Sequence, residues 1–281
     1  MERNICSQQA PLLHCVGMAR QRLGQHFLHD SSWQQRILAA LPNDPASAWV
    51  EIGAGHGEMT HLLAGRGARV VAIERDPLLV QRLREQIARN PAEWPVVEVV
   101  AADVLTCDFG KLSPGRFRVY GNLPYYITSP ILHHLFEHAD RIDSIHIVIQ
   151  LEVAERLVAR PGSREYGYLS VVTQFYGRPE IALRIPPGAF RPPPKVHSAL
   201  VGMSLPGERV AIGVAAADEA AFLKFVQLCF QHKRRTLRNN LRAVKSDAEI
   251  HRALGDCGIR ADARAEQLTL GQFAAIFARL R

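Results

Sequence analysis

Ala48-Trp49-Val50-Glu51-Ile52-Gly53-Ala54-Gly55-His56-Gly57 is the stretch on which the fold turns. A short strand runs into three glycines spaced two apart, and a helical pattern follows from Glu58 to about Ala64. Outward from it the same alternation continues. Arg69–Ile73 reads as a second strand ending at Glu74. Residues 77–89 read as an amphipathic helix with Leu78, Leu79, Leu83 and Ile87 on one face. Val96–Val100 is a third strand leading to Asp103, and Arg116–Tyr120 a fourth leading to Asn122. Ser129–Glu137 is helical and Ser144–Gln150 a fifth strand. The alternation predicts an α/β fold, a mostly parallel sheet with helices on both faces. Ligands of such sheets sit beyond the carboxyl ends of the strands, where Gly53, Gly55, Glu74, Asp103 and Asn122 fall.

Further along, Glu152–Ala159 reads as a helix, and Leu169–Tyr176 with Val196–Leu205 as an antiparallel pair of edge strands. Between them Pro186 to Lys195 is stiffened by five prolines and is expected to display Phe190. Leu205-Pro206-Gly207 marks the expected boundary between a domain over 19–205 and a small all-helical domain over 208–281. Apolar spacing at Phe222, Phe225, Val226 and Cys229, and again at Phe273, Ile276, Phe277 and Leu280, supports the helices. Upstream, residues 1–18 read as an irregular, disordered extension. The basic segment Arg20 to Leu28 precedes a helix that Ser31 or Ser32 can cap.

The 281 residues suffice for one large domain and one small one. No apolar run approaches the roughly 18 residues that span a bilayer, and Met1–Ala19 lacks the pattern of a signal peptide. Five scattered cysteines without a Cys-x-x-Cys pair fit a reducing cytoplasm and argue against a zinc site. The net charge is +7. Residues 207–281 hold 13 Lys and Arg against 8 Asp and Glu, so five of the seven positive charges lie there. Nucleic acid is the natural partner. Lys233, Arg234, Arg235, Arg238 and Arg242 occur together with no acid among them; on a helix they would share a face suited to phosphates. Arg20, Arg22 and Lys195 extend that footprint.

The glycine turn lacks the third glycine of a dinucleotide fingerprint, since position 58 is Glu. An acid at a helix start repels a pyrophosphate, and no Gly-x4-Gly-Lys-Ser/Thr loop is present. The turn therefore fits a ligand without phosphates, such as S-adenosylmethionine. Glu74 can accept both ribose hydroxyls, or be a solvated strand-end charge. Asp103 can accept from an adenine amino group, or cap a turn. Val119-Tyr120-Gly121-Asn122-Leu123-Pro124-Tyr125-Tyr126 reads as a strand entering a rigid turn. It offers an amide oxygen on Asn122, the Leu123 carbonyl and the Tyr125 ring. Two acceptors and a ring suit an exocyclic adenine nitrogen; a plain turn is the alternative.

Gly53-Ala54-Gly55, Glu74, Asp103 and Asn122-Leu123-Pro124-Tyr125 resemble the motif series of the class I methyltransferases that act on adenine N6, and closely that of the small-subunit (16S) rRNA adenine dimethyltransferases. Gly24-Gln25-His26-Phe27-Leu28, Phe190-Arg191-Pro192-Pro193-Pro194-Lys195-Val196-His197-Ser198 and Lys233-Arg234-Arg235-Thr236-Leu237-Arg238-Asn239 also resemble that family. The resemblance runs from about Arg20 to the end. One departure is His26, where the family usually has Asn. The resemblance implies cofactor contacts by His26, Leu28, Gly53, Gly55, Glu74, Asp103 and Asn122. It implies catalysis by Asn122, Leu123, Pro124 and Tyr125, with Phe190 stacking on the second face of the base. It also implies a monomer acting on small-subunit rRNA in the pre-30S particle.

His134 and His138 lie four apart without an evident third ligand, so no metal is expected. Trp33, Trp49 and Trp94 read as packing residues. Three rivals share parts of this pattern. They are a large-subunit rRNA adenine methyltransferase, a DNA adenine methyltransferase, and an RNA-binding assembly factor whose methylation is incidental.

Overall fold

The structure, a computed structural model, describes residues 26–209 and 211–281. Arg20, Arg22 and the 1–18 extension lie outside the described residues. The chain runs β1 (Phe27–Leu28), α1 (Ser31–Ala40), β2 (Ala48–Ile52), α2 (Glu58–Ala64), β3 (Arg69–Glu74), α3 (Pro77–Arg89), β4 (Val97–Ala101), α4 (Phe109–Leu112), β5 (Phe117–Asn122), α5 (Thr128–Glu137), β6 (Ile142–Gln150) and α6 (Leu151–Val158). There follow α7 (Tyr168–Tyr176), β7 (Arg178–Ile185), β8 (Phe190–Arg191), β9 (Ser198–Ser204), α8 (Glu219–Cys229), α9 (Leu237–Leu241), α10 (Asp247–Asp256) and α11 (Leu270–Leu280).

Seven strands form one sheet in the order β4-β3-β2-β5-β6-β9-β7. The first five are parallel, while β9 runs antiparallel to β6 and β7 antiparallel to β9. Alternate side chains of the central strands feed two cores. Val50, Ile52, Val119, Ile145 and Ile147 point to one face, and Trp49, Val70, Tyr120 and Val148 to the other. The chain leaves β2 in one direction through β3 and β4, then returns to add β5 and β6 on the opposite side. That reversal opens a crevice at the carboxyl ends of β2 and β5.

Two expectations at the edge need correction. Leu169–Tyr176 is not a strand but most of α7, and the partner of β9 is β7. Its β-branched and aromatic residues favour a strand locally. Packing overrides them: Ser170, Val171, Val172, Thr173, Phe175 and Tyr176 are all buried, and Gly167 N–H donates to Ser170 Oγ at 3.0 Å across the first turn. Arg178–Ile185 carries a two-residue alternation of exposure, and its Pro179 is tolerated at a sheet edge. At the other end of the chain, α1 is capped by Asp30 rather than a serine. Asp30 Oδ1 accepts from Ser32 N at 2.8 Å and Trp33 N at 3.3 Å.

From α8 onward the regular elements are all helical. The hydrophobic core continues from the sheet through Phe175 to Phe222, Phe273 and Phe277. Tyr166 Oη donates to the Leu268 carbonyl at 3.0 Å across that junction. The crossing at Gly207 is tight, since a Cβ there would lie 2.5 Å from the Gln174 carbonyl oxygen. No helix among the described residues is long and apolar enough to cross a membrane.

Candidate active site

The glycine turn after β2 holds positive φ at Gly53, Gly55 and Gly57. At Gly55 the requirement is double, because an added Cβ would also meet the Phe27 ring at 3.2 Å. The bent backbone aims Gly55 N–H at Glu74 Oε2, 2.9 Å away, while Glu74 Oε1 accepts from Arg75 N and Asp76 N at 2.8 Å each. Glu74 is 4% exposed, so it is no solvated strand-end charge. Three amides fix its carboxylate, two on Oε1 and one on Oε2, which leaves about one lone-pair site, on Oε2, at the cavity it lines. Beneath the turn lies a second acid that the sequence reading gave no role. Glu51 is buried and accepts from Thr60 Oγ1. Burial pushes its carboxyl up to about 8, with Thr60 opposing and Glu58 and Glu74 adding to the rise.

Asp103, after β4, caps a turn and also lines the crevice. Its Oδ1 caps a short 3-10 turn through Leu105 N at 3.1 Å, and its Oδ2 faces Arg75 Nη1 at 3.2 Å while the residue lines the crevice.

Asn122 ends β5, and Leu123 N continues the ladder to the Val148 carbonyl at 3.0 Å. Asn122 Nδ2 donates to the His26 carbonyl at 2.8 Å. A carbonyl only accepts, so the amide's orientation is settled and Oδ1 faces away from the contact. Neither Asn122 Oδ1 nor the Leu123 carbonyl takes a hydrogen bond from any described residue. Tyr125 Oη shares a 2.7 Å hydrogen bond with Ser198 Oγ at the start of β9. Burial pushes the Tyr125 phenol up, and Ser198 works against that rise. One face of the Tyr125 ring is backed by His26, with centroids 5.5 Å apart and planes inclined by 29°. His26 Nδ1 in turn lies 2.7 Å from the Pro192 carbonyl, so that nitrogen carries the proton and donates.

One cavity gathers His26, Gly53, Glu74, Asp103, Asn122, Leu123, Pro124 and Tyr125, with Ile73, Val104 and Ile131 as apolar wall. Gly55 stands one layer behind, under Phe27. Leu28 and Phe190 are not at the cavity. They face each other in the β1–β8 pair, Phe190 only 2% exposed against a core that includes Leu200. The proline loop therefore does not display Phe190; it begins a strand that buries the ring. Arg75 and Tyr126 also line the cavity and went unread. For Tyr126 the signal was its place in the same turn as Tyr125.

The basic run is corrected as well. Lys233, Arg234 and Arg235 are exposed in a non-helical turn between α8 and α9. Arg238 and Arg242 instead grip Asp247 and hold its carboxyl well below the usual range. Lys195 is exposed on the loop before β9. His134 Nε2 bonds the Cys107 carbonyl at 2.9 Å, and its ring packs on Phe109. Trp49 is buried, and Trp33 and Trp94 pack on the cores.

A mostly parallel sheet with this crevice and these strand-end groups defines a class I methyltransferase with a Rossmann-like fold. The model of the ribosomal RNA adenine dimethylase family matches residues 17–281, and the chain belongs to that family. The ribosomal RNA small subunit methyltransferase A of Acidobacterium capsulatum is 44% identical over 264 residues, which are 93% of this chain and 91% of the relative. The solved 23S rRNA methyltransferase ErmE superposes with a TM-score of 0.70 at 29% identity, covering 90% of this chain and 99% of its own. A dimethyladenosine transferase from Plasmodium falciparum shares the fold, with a TM-score of 0.76 at 22% identity over 89% of this chain and 96% of its own.

Proposed function

We propose that the chain dimethylates N6 of two adjacent adenosines near the 3′ end of small-subunit rRNA, using S-adenosylmethionine, within the pre-30S particle. The observation that carries the reading is the orientation of Asn122. Its Nδ2 is committed to the His26 carbonyl, which leaves Oδ1 and the Leu123 carbonyl as paired acceptors at the cavity.

The cavity suits the cofactor. Glu74 can take a ribose hydroxyl through Oε2 and Asp103 the adenine amino group, against Ile73 and Val104. Glu58 opens α2 where a phosphate-binding helix would present only amides. When bound, the cofactor supplies a methyl group on a sulfonium. The protein's own task is to position the nucleophile. An adenine amino nitrogen is flat and its lone pair is delocalised. With its hydrogens held by Asn122 Oδ1 and the Leu123 carbonyl, the nitrogen can pyramidalise toward the donor. The acceptors then stabilise the positive charge that develops on it. Tyr125, backed by His26 and tied to Ser198, offers a fixed face for the base. In the second round only one hydrogen remains, so one acceptor suffices and the other side must admit a methyl group.

The exposed cations Lys233, Arg234, Arg235 and Lys195 would contact rRNA phosphates, with the helices from α8 onward docking the particle. We place this activity in the cytoplasm and in a monomer. The test is incubation of the purified protein with labelled cofactor and, in parallel, small and large subunits from unmethylated strains, followed by nuclease mapping. Two N6,N6-dimethyladenosines side by side support the reading. Label on another atom, or incorporation only into large-subunit RNA as the likeness to ErmE would allow, removes it.

A further inference from the structure

We propose that Tyr126 is a stacking platform for the nucleotide next to the target adenosine, so that the enzyme holds two consecutive bases of an unpaired RNA segment, one on Tyr125 and one on Tyr126. The proposal rests on the reading of the cavity as the methylation site.

Tyr126 lines the cavity, yet it is 57% exposed, one of the few large hydrophobic side chains so exposed among the described residues. Tyr125 and Tyr126 occupy the two corners of a turn closed by Ile127 N–H to the Pro124 carbonyl at 3.2 Å. Their Cα atoms are therefore adjacent in a rigid frame, about 3.8 Å apart. The two rings are treated differently. Tyr125 is pinned through its hydroxyl to Ser198 and covered on one face by His26. The Tyr126 side chain makes no hydrogen bond to any described residue, and more than half of it is exposed.

Chemistry supplies the occupant. A purine drawn into the cavity leaves its own stack, and the base beside it loses a stacking face at the same moment. An exposed ring one residue from the pocket can restore that face without reading base identity. The loop that delivers Ser198 to Tyr125 also carries exposed Lys195 and Val196, the latter 45% exposed. Exposed aromatic, apolar and cationic groups on this turn and loop suit single-stranded nucleic acid. It also suits a substrate with two adjacent targets, since the base waiting on Tyr126 is already beside the pocket.

The test uses the full chain, unmethylated small subunits, and an RNA hairpin with 2-aminopurine immediately 5′ or 3′ of the target adenosine. Wild-type protein should quench the 2-aminopurine on one side. Tyr126→Ala should abolish that quenching and raise KM for the subunits roughly 5- to 150-fold, the worth of one stacked base, with the loss on KM rather than kcat. Tyr126→Phe should restore both. Unchanged quenching and KM in Tyr126→Ala overturn the proposal. So does a higher KM for whole subunits with unaltered hairpin binding, which assigns Tyr126 to a ribosomal protein. These outcomes are separate from failure of the site itself: if wild-type protein never labels adenine N6, the underlying reading falls regardless of Tyr126.

Discussion

At the strand ends, the polar side chains facing the cavity are held by the backbone. Three amides grip Glu74, one carbonyl orients Asn122, and a turn amide holds Asp103. In the basic turn after α8, Lys233, Arg234 and Arg235 stand exposed, while Arg238 and Arg242 share Asp247. The first arrangement suits chemistry, where a misplaced acceptor forfeits rate. The second suits a flexible polyanion, for which charge density matters more than direction. Side chains in the cavity should therefore act steeply and one by one, and those in the basic turn weakly and additively.

Among the effects on ligand binding, the largest is expected at Glu74. Glu74→Ala removes the carboxylate that gathers Gly55, Arg75 and Asp76, and cofactor Kd should rise about 10- to 100-fold, the scale of charge-assisted hydrogen bonds, by calorimetry. An unchanged Kd would remove its assigned role. Next comes Glu51, whose ordinary carboxyl value of 4.5 is raised to about 8 in the fold. The folded state then binds a proton that the unfolded state has lost. The stabilisation is complete below about pH 4.5 and fades as pH rises toward 8, by up to about 1.4 kcal/mol per pH unit. Denaturation at several pH values should show this slope in the parent and a flatter one in Glu51→Gln. Parallel curves would show that Glu51 does not titrate in this way.

Smaller effects belong to the basic turn. Replacing Lys233, Arg234 and Arg235 together by Ala should lower the salt slope of RNA binding by about 2 to 3, with cofactor affinity untouched. A slope identical to the parent's would place the RNA elsewhere. Arg238→Ala should change that slope least, because its charge is already spent on Asp247. Its measurable cost should be a small loss of stability, as for other exposed ion pairs.

Much of this was legible in the sequence, for reasons that differ by element. The parallel strands, the helix over 77–89 and the strand-end residues Gly53, Glu74, Asp103 and Asn122 follow from periodicity and from the rule that ligands sit at carboxyl ends. Leu169–Tyr176 misled because its β-branched residues favour a strand, whereas burial against α8 and α11 makes it a helix. Phe190 misled because five prolines suggest a projecting loop, and the pairing of β8 with β1 joins residues far apart in sequence. The hold of His26 on Asn122 spans 96 positions. No local pattern announces it, yet it is what orients the amide.

Asn122 is the residue on which methyl transfer most directly depends. Single-turnover transfer from labelled S-adenosylmethionine to saturating unmethylated small subunits should fall roughly 100- to 1,000-fold in Asn122→Ala, the usual cost of one preorganised transition-state hydrogen bond, while cofactor binding persists. A rate within a few-fold of the parent's would contradict that dependence.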